Sequence, residues 1–183
     1  MGYQAIGPTD FERPVTMPDG RKAAAKFATF QWPVKEAPGG VRLFACQHKT
    51  RETVWIPELQ RHANTAKRIA RVLIVTPDVE EDAKHLAKMI AGEVRAEADG
   101  SAAVPTGFGR ADFVFLTREA LGKRYPGVDV STLPDRAGAG LELAVDDLAA
   151  AQHATGAKAV KGNNAIVVPP KTANGVLLAF VKG

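Results

Sequence analysis

Ala70-Arg71-Val72-Leu73-Ile74-Val75, followed by Pro77-Asp78 and an amphipathic run from Val79 to Ile90 that Gly92 closes, is the stretch whose reading decides the fold. The apolar, β-branched run predicts a strand, and Pro77-Asp78 marks a helix start. Ala83, Leu86, Ala87 and Ile90 fall on one helical face, and Gly92 is placed to end the helix. Three short strands are expected next, over residues 93–98, 101–105 and 112–117. The same order then returns. Gly140-Leu141-Glu142-Leu143-Ala144-Val145 is a strand, and Asp147 opens a helix that ends near Gly156. Strands at 158–160, 165–168 and 176–181 complete the second copy. Strand, Asp, helix, Gly and a three-stranded meander are thus written twice, and a repeat of this length sets the architecture. The expected fold class is α+β: tandem βαβββ modules forming cupped mixed sheets, with modules over residues 69–136 and 137–183.

The front of the chain shows only part of such a unit. Residues 1–22 read as loop and turn, punctuated by Gly7-Pro8-Thr9-Asp10 and Pro18-Asp19-Gly20. Strands are expected at 25–32 and 41–47, separated by a turn at Pro38-Gly39-Gly40. They read as the last two strands of a third copy without its opening strand and helix. Residues 1–68 are therefore the C-terminal part of a βαβββ module plus a loop, irregular over 49–68 except for a short helix near 57–61.

That loop carries most of the chemistry. Cys46-Gln47-His48-Lys49-Thr50-Arg51-Glu52-Thr53-Val54-Trp55, with Glu58 and His62-Ala63-Asn64, gathers a thiol, amides, imidazoles, carboxylates and an indole at the end of a strand. Side chains there can be held rigidly enough to act. His48 is the candidate metal ligand; otherwise it ends a strand and hydrogen-bonds a loop. Glu52, Glu58 and His62 are candidate catalytic groups, able to remove a proton beside a carbonyl; otherwise the two carboxylates are solvated. Trp55, Asn64 and Gln47 are candidate substrate-binding residues. The plainer readings make Trp55 a loop anchor and Asn64 a turn residue that satisfies backbone groups. Side chains alternate along a strand, so Gln47 faces away from His48 while Cys46 shares its face. Cys46 is expected to be a small core residue, His85 and His153 to lie on the surface, and Glu142 to point outward from its strand.

Bulk properties narrow the function classes. The 183 residues carry a formal charge of +4 at a pI near 9.3, with cations and anions interspersed, so no dense basic groove for nucleic acid is expected. A single cysteine excludes an intrachain disulfide and fits a reducing compartment. No secretory signal and no membrane-spanning run is read, so a soluble, cytoplasmic protein is expected. Pro105-Thr106-Gly107-Phe108-Gly109-Arg110 lacks the Lys-Ser/Thr ending of a phosphate loop and reads as a hairpin turn. With no dinucleotide fingerprint either, no nucleotide cofactor is expected.

Phe11-Glu12-Arg13-Pro14-Val15, Pro18-Asp19-Gly20, the Cys46-Gln47-His48 stretch with Trp55 and His62-Ala63-Asn64, and the tail Ile166-Val167-Val168-Pro169-Pro170 with Ala173-Asn174-Gly175-Val176 resemble the glyoxalase-like proteins of the vicinal oxygen chelate superfamily. The resemblance implies a cupped sheet of paired modules. It also implies a divalent ion (Zn, Ni, Fe or Mn) held by His, Glu or Gln on the first and last strands of a module. Such a metal acts as a Lewis acid on vicinal oxygens of a small substrate, in lyase or dioxygenase chemistry. His48 stands at the matching last-strand position. Metal-free relatives of the bleomycin-resistance type use the same cup to bind small molecules. A homodimer is the expected way for a shortened first module to complete its cup.

Overall fold

The computed structural model describes residues 4–156, 160–162 and 164–183. They form two compact units, one of residues 4–37 and 42–62, the other of residues 38–41 and 63–183.

The smaller unit is an antiparallel three-stranded sheet in the order β1 (Ile6–Thr16), β2 (Lys22–Gln31), β3 (Phe44–His48). β1 replaces the expected loop. Its prolines read as breakers, yet β1 is an edge strand, where a missing N–H removes no ladder bond, and Pro14 pairs in register with Ala24. The turn to β2 is closed by the Gly20 N–H donating to the Met17 carbonyl at 2.8 Å. Beyond β3, one-turn 3₁₀ segments at Arg51–Thr53 and Pro57–Gln60 carry the loop.

The larger unit runs through two βαβββ series: β4 (Ala66–Val75), α1 (Val79–Ile90), β5 (Arg95–Ala96), β6 (Ala102–Val104) and β7 (Asp112–Leu116), then β8 (Ala137–Val145), α3 (Leu148–Thr155), β9 (Val160–Gly162), β10 (Ala165–Val168) and β11 (Leu177–Lys182). Between them runs a helix the sequence reading did not anticipate, α2 (Arg118–Arg124). All eight strands join one sheet in the order β5-β6-β7-β4-β8-β11-β10-β9. Each module closes by laying its last strand parallel to its first, Val72 opposite Phe113 and Leu141 opposite Leu178, and the modules meet at the antiparallel β4–β8 pair. Of the strand expected at 158–160, Lys158 and Ala159 lie outside the described residues.

Of the two module helices, α3 begins and ends as expected, while α1 is capped differently at both ends. Asp147 caps α3, accepting from the Ala149 and Ala150 N–H groups at 2.7 and 3.2 Å. Asp78 makes no such bond to α1; its carboxylate pairs instead with Arg136, which also reaches Asp82 at 3.0 Å. At the far end Ala91, rather than Gly92, takes the left-handed conformation at φ 55°, and the Gly92 N–H donates to the Ala87 carbonyl. α1 buries Ala83, Leu86, Ala87 and Met89 over β6 and β7, while Ile90 stays partly exposed. α3 packs Ala151 against Ile166, Val168 and Phe180.

The opposite face of the sheet is covered from within the chain. Leu121 and Tyr125, with Val128 and Leu133 beyond α2, pack on Leu73, Val75, Val114, Leu116, Val167, Leu177 and Ala179. The chain linking the modules therefore fills the surface that a ligand-binding cup would leave open.

Candidate functional site

On the eight-stranded sheet, the centre of the filled face is polar. Glu142 on β8 lies opposite Arg71 on β4 and is 8% exposed. The outward orientation expected for Glu142 is thus overturned: β8 is a central strand covered on both faces, so alternation of apolar residues does not tell its faces apart. Its carboxylate accepts a hydrogen bond from the Tyr125 hydroxyl at 2.7 Å and lies 3.6 Å from the Arg71 guanidinium. Arg124, on the same helix as the tyrosine's approach, donates to Asp99 at 2.6 Å and to Glu97 at 2.8 Å. Arg71 also reaches Glu97 at 3.0 Å.

Titration behaviour follows from this packing. Burial pushes the Asp99 carboxyl up, but hydrogen bonds from Ser101 and Arg124 outweigh it and hold it at about 2. Glu97 is lowered too: burial opposes ionisation, and the charge of Arg71 leads the groups that overcome it. Burial, then the Glu142 charge, pushes the Tyr125 phenol up, so it stays a donor. The tyrosine, two arginines and three acids pair with one another, except that the buried Arg124 Nη1 makes no hydrogen bond and lies 3.7 Å from Glu142.

The smaller unit is different. Cross-strand register sets Phe11 beside Phe27 and Phe27 beside His48 on one face of the sheet. Phe11 and Phe27 stack with centroids 4.9 Å apart, and His48 meets Phe27 edge-on at 5.3 Å. Trp55 continues the row 6.0 Å beyond His48 and donates its indole N–H to His48 Nδ1 at 3.0 Å. Arg13 lies over Phe27 and Arg51 over Trp55, at 5.9 and 5.3 Å from the ring centroids. Trp55 is 51% exposed, Phe11 48% and Phe44 60%. Cys46 lies on the same face and is exposed, not the core residue expected, because nothing in this unit covers the β3 surface around it.

The remaining sequence candidates scatter. Glu52 and Glu58 are exposed and line a small groove of about 220 Å³ with Asp19 and Ile56. His62 is exposed at the end of the unit, and Gln47 lies on the face opposite His48. Asn64 belongs to the larger unit, where its side-chain carbonyl accepts from the Ala66 N–H at 3.1 Å. His85 is half-buried on α1, and His153 is exposed on α3.

The donor set does not fit a divalent ion. Among the described residues no three His, Cys, Asp or Glu side chains come together as a metal would need. His48 is also committed: an indole N–H can only donate, so Nδ1 must present its lone pair and the neutral ring carries its proton on Nε2. A metal on Nε2 requires the opposite tautomer. The neutral His48 ring is therefore expected as the Nε2–H tautomer, read by long-range ¹⁵N–¹H correlation spectra. Trp55→Phe should shift it toward a mixture. A wild-type ring protonated on Nδ1 would mean that Trp55 does not hold it.

The two βαβββ series joined at β4 and β8 make one mixed α+β sheet. Residues 2–90 match the family described as glyoxalase-like domain. The matched residues cover β1 to β4 and α1. Among solved structures it is similar to a hypothetical protein from Staphylococcus aureus, with TM-score 0.59 and 10% identity over 99% of this chain. The chain spans 57% of that protein's length. Methylmalonyl-CoA epimerase from Mycobacterium tuberculosis is similar at TM-score 0.45 and 16% identity, covering 66% of this chain and 95% of the epimerase. A comparison with curated proteins finds no sequence match. Among the described residues no helix is long and apolar enough to cross a membrane.

Proposed function

We propose that this protein binds a small molecule without a metal, in the manner of the bleomycin-resistance type, on the exposed face of its N-terminal sheet. The observation that carries this reading is the row Phe11–Phe27–His48–Trp55, laid across three strands and open at both ends. Exposed aromatic side chains held by cross-strand neighbours offer apolar area at little further entropic cost, which suits ligand capture. His48 acts here through its ring face and Nε2–H, as one member of the row. The lyase or dioxygenase chemistry implied by the resemblance would need three or more donors around one ion, and His48, Glu52, Glu58 and His62 do not converge.

The reading predicts that chelator leaves the melting temperature unchanged, while a ligand for the aromatic face raises it. A ligand at a hundred times its Kd stabilises the native state by about 2.7 kcal/mol. Elemental analysis run beside the thermal-shift screen makes the test decisive. One equivalent of a transition metal, lost on His48→Ala together with stability, would overturn the proposal.

A further inference from the structure

Next to the aromatic row lies an open groove of about 430 Å³ bounded by Phe11, Phe44, Thr9, Thr29, Gln31 and Arg42. The strand register places Thr9, Phe11, Thr29, Gln31 and Phe44 on the His48 face. Two half-exposed phenyl rings form the walls, and Thr29, 7% exposed, lies at the floor with its hydroxyl turned to the Thr9 carbonyl. Among the described residues Arg42 is the only charged member of the lining. Its guanidinium donates to the Gln31 side-chain carbonyl, which orients it, and no carboxylate among the described residues pairs with it. Three other cations of this unit do face carboxylates: Lys26 faces Glu12, Lys49 faces Asp10, and Arg21 faces Asp19.

Resting on the binding function proposed above, we propose that the ligand of this groove is a planar aromatic anion, its rings between Phe11 and Phe44 and its carboxylate on Arg42. The volume lies within the range of about 300–1,000 Å³ typical of small-molecule sites. Aromatic walls favour a flat ring by offset or edge-on contact, which an aliphatic ring of equal bulk cannot match. A planar guanidinium with free N–H groups matches a carboxylate in two parallel bonds, and the neutral Gln31 partner leaves its charge uncompensated. A cationic ligand would meet Arg42 unshielded.

The experiment titrates the full-length protein with 2-naphthoate, 2-naphthamide and decahydro-2-naphthoate, following side-chain NMR signals of Phe11, Phe44 and Arg42. Naphthoate should bind about tenfold more tightly than the amide, as one charge-assisted hydrogen bond contributes. Arg42→Gln should abolish that difference and leave amide binding as it was. Phe44→Ala should weaken both aromatic probes by about fivefold and abolish their preference over the decahydro acid. All three groove residues are at the surface, so unchanged melting temperatures exclude a folding effect. Equal binding of naphthoate and naphthamide, or of naphthoate and its saturated analogue, would overturn the ligand class while leaving the binding function standing. No perturbation at the groove by any probe, with a concentration-dependent dimer that Phe44→Ala abolishes, would overturn both.

Discussion

Replacing Arg124 with alanine is expected to cost about 3–5 kcal/mol of stability, the range seen when one member of a buried charge network is removed. The side chain is 14% exposed and holds Asp99 at 2.6 Å and Glu97 at 2.8 Å. Without it the buried Glu142 and the half-buried Glu97 lose a cation, and the exposed Asp99 loses its hydrogen bonds from the guanidinium. A domain with a total stability of about 5–15 kcal/mol then approaches the unfolding threshold. Urea unfolding followed by circular dichroism gives the value, and a loss below about 1 kcal/mol would show that the network is solvated. The same variant reports on pH. In the folded protein Asp99 is held at about 2, below its ordinary value near 3.9 in an unfolded chain. A depressed carboxyl contributes stability that is complete above the unfolded value and is lost as the pH falls through the folded one. Wild-type stability should therefore fall from about pH 4 toward pH 2. Arg124→Ala should fall less steeply over that window, because Ser101 alone remains to hold Asp99 down.

Gly140→Ala should be the most damaging small change in the sheet. Gly140 pairs with Leu177 on β11 and with Leu73 on β4, at the centre of the eight strands. A Cβ there would sit 2.4 Å from the Leu177 carbonyl oxygen and 3.0 Å from its Cβ. Backbone cannot rotate away as a side chain can, so β8 and β11 would have to separate. A cost of about 3 kcal/mol is expected, at the upper end for overpacking a core. Gly138→Ala on the same strand is the control. Its added Cβ would meet only Val41, at 3.9 Å, and the variant should be neutral or slightly stabilising, because alanine restricts the unfolded chain. Equal melting temperatures for the two variants would refute the argument.

Local signals that agree with the global fold were legible in the sequence. Asp147 before a helix and the apolar stripe Ala83, Leu86, Ala87 report on neighbours a few residues away, and both modules follow from them. α2 escaped notice although it has a signal: the Thr117 hydroxyl accepts from the Ala120 N–H at 3.1 Å, as an N-cap should. Its position between two repeats made it read as linker. β1 was lost for the opposite reason, because proline argues against a strand unless the strand is known to be an edge. Glu142 was misjudged, and the partner of His48 went unseen, because strand alternation reveals neither contact. Tyr125 reaches Glu142 from a helix outside the repeat, and Trp55 reaches His48 by a loop turning back over its own strand.

The short segment 38–41 leaves the smaller unit between β2 and β3 and packs in the larger one, where Pro38 and Gly39 are buried. Gly39 holds φ 60°, with Ile74 and Phe115 so close that a Cβ would fall 2.4 Å from the Ile74 methyl. Ile74 is on β4 and Phe115 on β7, both made by the ribosome long after the segment that needs them. Vectorial synthesis therefore delivers β1 to β3 with the stitch at Gly39 still loose. That stitch tightens only when the last strand of the first module emerges, so the packing of Gly39 waits on the translation of β7.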